Sequence, residues 1–406
     1  MRRRRVLPQV AAFVLLIVLA LLLAGCWNRR DIDTLAIVTA AGVDFDEQTN
    51  EIKLTVHALR AEVLGETAPD LRPYVQRQST GRTVFEAVRN TIQQSPARMF
   101  WAHNPVIVVG EQTARNGLMP VMDYFIRDGE TRLDVLLLVA RGTTANEVLK
   151  VDYGVERLPG IAVVDHLRSA RQSLSTGVFS DLNDFLIRWE SPGIQPLAAR
   201  IERVVLQPGD PSGQLTHEER IQDVYIGGAA AFIDDRLVGW LEPLEVRGVY
   251  WLRGETRGGI LVVPDPWQAD RNIGLELSRS SSRVEFSETE TGGITCKVRI
   301  SSTAYLGDAM VFRDPLSMEH FVTAVQTAME AEIENEVRTA LDRCQQELGS
   351  DVFGLGAMLS RKNPALWVRV KDNWPAVFAA LDVEVEVKGR ILRAGSNIRY
   401  GPGLVR

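Results

Sequence analysis

Between Ser317 and Leu348, apolar residues recur at Phe321, Val325, Met329, Ile333, Val337, Leu341, Cys344 and Leu348. Spacings of three and four, held for about eight turns, describe one face of an amphipathic helix. At 1.5 Å per residue that helix is roughly 48 Å long, and Gly349 supplies its stop. A stripe of this length has to be buried by the rest of the chain. The opposite face reads as charged, with Glu330, Glu332, Glu334, Glu336, Arg338, Asp342 and Arg343. We read the segment as a core-forming helix and not as a coiled-coil partner surface.

The flanking sequence has the texture of short strands. GGAAAFIDDRLVGWL from Gly227, GGILVVP, and RVEFSETETGGITCKVRIS precede the helix, with Gly292-Gly293 as a hairpin signal between alternating runs. Beyond it lie a stretch holding Trp367 and Trp374 and a final period-two strand, VEVEVKGRIL. The first half mixes strands and helices more evenly. Residues 35–43 and 52–59 read as a hairpin, and Ala61 to Gln78 as a polar loop. Thr80 to Gln94 reads as a helix burying Val84, Phe85, Val88 and Ile92. VIVVG at 106–110 reads as a buried strand, and the apolar run at 133–142 as the middle of a sheet covered on both sides. Thr144 is placed to cap a short helix, and Ser180 another over Asp181–Trp189. The expected fold is therefore α+β: mixed sheets with helices in more than one domain. The expected division is a leader at 1–25, N-terminal α/β-type structure over 26–206, a linker at 207–226 around QPGDPSG, and a C-terminal unit of hairpins with one long helix over 227–406.

The leader carries its own chemistry. Arg2 to Arg5 form a basic start, and Val10 to Leu23 are uncharged and almost entirely aliphatic. Leu23-Ala24-Gly25-Cys26 ends the run with small residues, as a secretory signal peptide does. The apolar stretch is short beside the roughly 20 residues of a membrane span. Cysteine directly after Leu-Ala-Gly resembles a bacterial lipobox, in which Cys26 is diacylated and becomes residue one. The alternative is an uncleaved signal anchor with Cys26 an ordinary thiol. The formal charge is −6 over 406 residues, and removing the leader's four arginines leaves −10. That balance argues against nucleic acid as a partner and against recruitment by anionic lipid, so attachment falls to the acyl chains.

No catalytic signature stands out. The histidines, His57, His103, His166, His217 and His320, form no two-ligand spacing. GxSxG and the phosphate-cradling glycine loops are missing, and His217 lies in a polar loop beside Glu218 and Glu219. No catalytic, metal or cofactor residue is assigned. Cys296 and Cys344 remain beside Cys26; export leaves one bridge between them open, and the place of Cys344 on the apolar face of the long helix favours a buried thiol. Trp240, Trp251, Trp367 and Trp374 are read as core residues, and Glu245, Arg247 and Arg253 as structural partners of one another.

Several runs together carry a family resemblance. Cys26-Trp27-Asn28-Arg29-Arg30-Asp31 resembles a mature start of Cys-Trp-Asp-Arg-Arg-Glu, with Asn28 and Asp31 as departures. LAIVTAAGVDFDE, the stretch 103–132, Glu245-x-Arg247-Gly248-x-x-Trp251-Leu252-x-Gly254, Asp351-Val352-Phe353-Gly354-Leu355-Gly356, Arg361-Lys362-x-Pro364-x-x-Trp367 and Asn373-Trp374-Pro375 follow in family order. In this joint order the chain resembles the Ger(x)C family, the lipoprotein C subunit of spore nutrient germinant receptors. The resemblance implies a non-catalytic subunit on the outer face of the spore inner membrane, lipidated at Cys26, working with a membrane-embedded A subunit and a permease-like B subunit. It also implies several mixed α/β domains. Residues 152–226 match least. The contrasting expectations are a solute-binding lipoprotein of a transporter, disfavoured because the two halves differ in texture, and a tethered cell-wall hydrolase.

Overall fold

The structure, a computed structural model, describes residues 35–60, 72–95, 97–151, 153, 158–205, 222–290, 292–308 and 318–392, together with Phe13 and Leu15. Cys26, the leader other than Phe13 and Leu15, His217 and residues 207–221 of the expected linker lie outside these residues.

Nine strands form the larger sheet. They are β1 (Leu35–Asp46), β2 (Glu51–Leu59), β3 (Tyr74–Gly81), β4 (Arg98–Phe100), β5 (Val106–Gly110), β6 (Leu136–Ala140), β7 (Leu197–Val205), β8 (Gln222–Ile233) and β9 (Arg236–Leu241). The order is β3-β2-β1-β5-β6-β7-β8-β9, with β4 paired to β1. The centre is parallel through β1, β5, β6 and β7, and the flanks are antiparallel. Helices cover it: α1 (Val84–Asn90), α2 (Glu111–Asn116), α3 (Met119–Arg127), α4 (Ala145–Leu149), α5 (Pro159–Ser169) and α6 (Leu182–Glu190). All five residues of β6 are buried, Leu137 and Val139 in one apolar cluster and Leu136, Leu138 and Ala140 in another. Both faces of the sheet are thus covered, as the uniformly apolar run requires.

The smaller sheet has four strands in the order of β10 (Ile260–Asp265), β11 (Gln268–Glu288), β12 (Ile294–Asp308) and β13 (Asp382–Leu392). It is antiparallel except for the parallel pair of β12 and β13. The hairpin at Gly292 forms as expected: Gly292 has φ 81°, and Glu288 pairs with Ile294. Helices α7 (Pro243–Arg253), α8 (Met318–Asp342), α9 (Leu355–Lys362), α10 (Pro364–Val370) and α11 (Trp374–Ala379) complete this half. Helix α8 continues as a wider turn over Arg343–Leu348 and stops at Gly349, whose φ is 62°. All eight residues of its apolar stripe are buried, against Leu261, Ile273, Val298, Ile300 and Val385 of the small sheet. Among the described residues no helix is long and apolar enough to cross a membrane.

Two local expectations are corrected. The segment expected as a loop to Gln78 holds β3, paired along its length with β2; its polar residues suit an edge strand held by backbone bonds. Helix α1 is shorter than expected and leaves Phe85 and Ile92 half exposed. Strands β8 and β9, whose texture begins the expected C-terminal unit, extend the larger sheet through pairing of β7 with β8 and of β8 with β9. The change of sheet therefore falls after Leu241. The two halves also share a core, since Val178, Leu197, Ala229 and Leu241 join the cluster that holds the α8 stripe.

Candidate functional site

Several polar residues of the runs that carry the resemblance converge on the junction of the helices. Helix α7 begins with a capping box between Glu242 and Glu245, in which the Glu242 backbone N–H donates to Glu245 (2.6 Å). One turn on, Arg247 points at α8. Its Nε donates to Glu336 Oε2 (2.9 Å), a second nitrogen donates to Glu336 Oε1, and Nη1 donates to the Ile260 carbonyl (2.9 Å). Trp251 Nε1 also donates to Glu336 Oε2 (2.8 Å). Between them sits Gly248, where a Cβ would lie 2.3 Å from the Glu336 carbonyl oxygen. Only glycine lets the two helices approach this closely.

A second knot lies at the start of α9. Asp351 is buried and accepts four hydrogen bonds, from the backbone N–H groups of Gly354 (2.8 Å), Leu355 (3.0 Å) and Gly356 (2.9 Å) and from Trp374 Nε1 (3.0 Å). Burial raises its carboxyl pKa, and these donors oppose the rise. In the larger sheet Asp44 repeats the device. It accepts from the N–H groups of Ala145 (2.8 Å) and Asn146 (3.1 Å) at the start of α4, beside the Thr144 cap, which accepts from Glu147 N as expected (3.2 Å).

The residues singled out from sequence fall mainly into this scaffold. Trp240, Trp251, Trp367 and Trp374 are all buried, and Trp367 and Trp374 meet edge to face at 5.5 Å. Glu245, Arg247 and Arg253 do not pair with one another as expected: Arg247 takes Glu336, Glu245 closes the capping box, and Arg253 donates to the Val352 carbonyl. Glu336 was expected on the charged face and is instead 3% exposed. Cys296 and Cys344 are buried free thiols. Among the described residues no group of three or more His, Cys, Asp or Glu is placed to hold a metal ion.

One cavity of about 320 Å³ opens where the two halves meet. Its wall combines α5 and the turn after it (Arg168, Arg171), α6 (Asp184, Arg188), the end of α7 (Tyr250, Arg253) and the following loop (Glu255, Arg257). Arg171 lies over the Tyr250 ring at 3.8 Å and donates to the Glu255 carbonyl (3.0 Å). Sequence reasoning did not find this cluster, because its arginines are spread over about ninety residues without local periodicity. Ser180 also faces it. The α6 cap is Asp181, which accepts from Asp184 N (2.7 Å), and not Ser180 as expected.

Two family models match this chain in tandem: the spore germination protein N-terminal domain over residues 28–203, and the spore germination B3/GerAC-like C-terminal domain over residues 227–395. The chain belongs to the Ger(x)C family. The first of these models ends with β7 and the second begins within β8, so the boundary between matched segments falls inside the larger sheet. Similar Ger(x)C relatives include spore germination protein KC of Bacillus subtilis (strain 168), 24% identical over 94% of this chain and 95% of the relative. Spore germination protein B3 of the same organism is 23% identical over 96% of this chain and 99% of its own length. The crystal structure of the GerBC protein shares the fold, with a TM-score of 0.55 and 20% identity over 89% of this chain and all of that one. The runs around Arg247, Gly248, Trp251, Asp351 and Trp374 thus carry the contacts that join α7 to α8 and α9 to α11.

Proposed function

We propose that this chain is the non-catalytic C subunit of a spore nutrient germinant receptor. It is held at the outer face of the spore inner membrane by acyl chains on Cys26, and it assembles with a membrane-embedded A subunit and a permease-like B subunit. The observation that carries the reading is the match of both halves, in order and nearly end to end, to spore germination proteins. The structure adds support, because Arg247, Trp251, Asp351 and Trp374 of the quoted runs are engaged in joining helices. Two acyl chains give stable attachment where one does not. Confinement to the membrane surface raises the effective concentration of the body for its membrane partners, so modest contacts suffice for assembly.

The test is recovery of a tagged copy from detergent-solubilised spore inner membrane, with mass spectrometry of what accompanies it. A permease-like protein and a second polytopic subunit are the expected companions. Transporter ATPase and permease subunits in their place overturn the reading in favour of a solute-binding lipoprotein. The anchor is tested by Cys26→Ala, which should leave the protein unprocessed or release it from membranes. Normal processing, membrane fractionation and germination in that variant would remove the role given to Cys26.

A further inference from the structure

The cavity at the junction of the halves is cationic in an otherwise acidic chain. Five arginines line it, Arg168, Arg171, Arg188, Arg253 and Arg257, against the carboxylates of Asp184 and Glu255. Those carboxylates neutralise little of the charge. Glu255 stands 3.7 Å from Arg171 and Asp184 3.8 Å from Arg188, both too long for a hydrogen bond. Only Arg168 of the five has a close carboxylate among the described residues, Asp165 at 2.7 Å outside the lining. Among the described residues neither Arg253 nor Arg257 has a carboxylate at ion-pair distance. Arg253 is drawn into the wall, and its ordinary pKa falls to about 10 through burial first and the nearby charge of Arg188 second. The charges of Glu255 and Asp351 oppose that fall without cancelling it.

A second observation is independent of charge. Ser180 lines the same cavity, is 2% exposed, and its hydroxyl has no hydrogen-bond partner. Buried hydroxyls are normally paired, and the helix cap that would have engaged this one is supplied by Asp181. Beside it Val178 and Phe179 give the wall an apolar strip. Guanidinium groups bind phosphate and carboxylate oxygens in two-point fashion, where lysine offers only a point charge. The volume falls at the lower end of small-molecule sites, about 300–1,000 Å³.

We propose that this cavity binds a small molecule carrying a doubly charged oxyanion, held by Arg188, Arg253 and Arg257 with the Ser180 hydroxyl donating to it, and with its apolar part against Val178 and Phe179. The oxyanion belongs either to a soluble metabolite or to a phospholipid headgroup, which present the same chemistry to the arginines. The cavity is walled by both halves, through α5 and α6 on one side and α7 and its following loop on the other. Occupancy therefore stiffens the junction between them. The site goes beyond the receptor-subunit reading and does not rest on it, since binding is measured on this chain alone.

The experiment follows thermal unfolding of the full chain in neutral detergent at fixed ionic strength. Glycerol 3-phosphate, inorganic phosphate and dihexanoyl phosphatidic acid are titrated separately, with sodium chloride as the control for screening. A saturable rise in melting temperature with any of the three, absent with chloride, is expected. A rise with the soluble anions assigns the site to a metabolite, and a rise with the lipid alone assigns it to a headgroup. Arg188→Gln and Arg257→Gln should each weaken the apparent affinity by about tenfold, the scale of one lost charge-assisted hydrogen bond. Arg257 is exposed and carries no side-chain ion pair among the described residues, so its variant stays informative even where Arg188→Gln fails to fold. No saturable shift with any probe, or affinity unchanged in the Arg257→Gln chain, overturns the proposal.

Discussion

The Arg247 guanidinium and the Glu336 carboxylate form a two-point ion pair inside the protein, with side-chain exposures of 6% and 2%. Such a pair is held in place less by its attraction than by the cost of leaving either half alone. Glu336→Ala strands a buried positive charge and removes the acceptor of Trp251 Nε1. The expected loss is about 3–5 kcal/mol. Denaturant unfolding followed by tryptophan fluorescence measures it. The double variant Arg247→Met with Glu336→Leu, which removes both charges, should recover most of that stability. A single variant that costs under about 1 kcal/mol would show the pair to be solvated in solution.

Gly248 is the steric counterpart of that pair. Adding a methyl group places it 2.3 Å from the Glu336 carbonyl oxygen and 2.7 Å from the Ala340 side chain, so α7 and α8 must separate. Alanine gains about 0.5–1 kcal/mol over glycine in a helix interior, whereas overpacking costs about 1–3 kcal/mol. Gly248→Ala should therefore lower the urea midpoint, with an unchanged slope. A raised midpoint would mean that propensity wins and the helices are free to adjust.

These two contacts also show where the sequence was legible. The α8 stripe was readable because eight apolar residues share one period, and all eight are buried. Glu336 was not, because its local setting among Glu332, Glu334 and Arg338 is that of a solvated face. Its partner lies 89 residues away. The same distance problem hides the cavity, whose arginines meet only after the sheets close. Strand β3 was missed for another reason. Its burial follows from pairing with β2, and a polar edge strand carries little of the alternation by which strands are recognised. Ser180 and Asp181 differ as caps by one position, within the usual uncertainty of a helix end. That one position decides which side chain is left facing the cavity.

The two described thiols should be silent in the native protein. Burial pushes the Cys296 thiol up to about 12 and raises that of Cys344 as well, so neither supplies the thiolate that reacts. Incubation with a thiol-specific reagent at neutral pH should label neither residue in the folded chain and both after denaturation. The rate in the native state then reports global or local opening. Rapid native labelling at Cys344 would place an opening at the wide turn that ends the long helix.

His57 should give the fold a pH-sensitive component. It is fully buried on β2, stacked on Tyr74 with ring centroids 4.2 Å apart. Desolvation lowers its pKa from 6.5 to about 4, an effect larger than the opposing contribution of Gln76. The folded state therefore resists the proton that the unfolded chain accepts. Between the two values the unfolded chain binds more protons, so stability rises with pH. The contribution is complete above pH 6.5 and is lost as pH falls towards 4, by about 3 kcal/mol in all. Urea unfolding at a series of pH values should show this decline against a His57→Phe chain, which keeps the stacking and removes the titration. The carboxylates titrate in both chains, so their effect cancels in the difference. Parallel curves between pH 6.5 and 4 would place the proton-linked loss of stability on another residue.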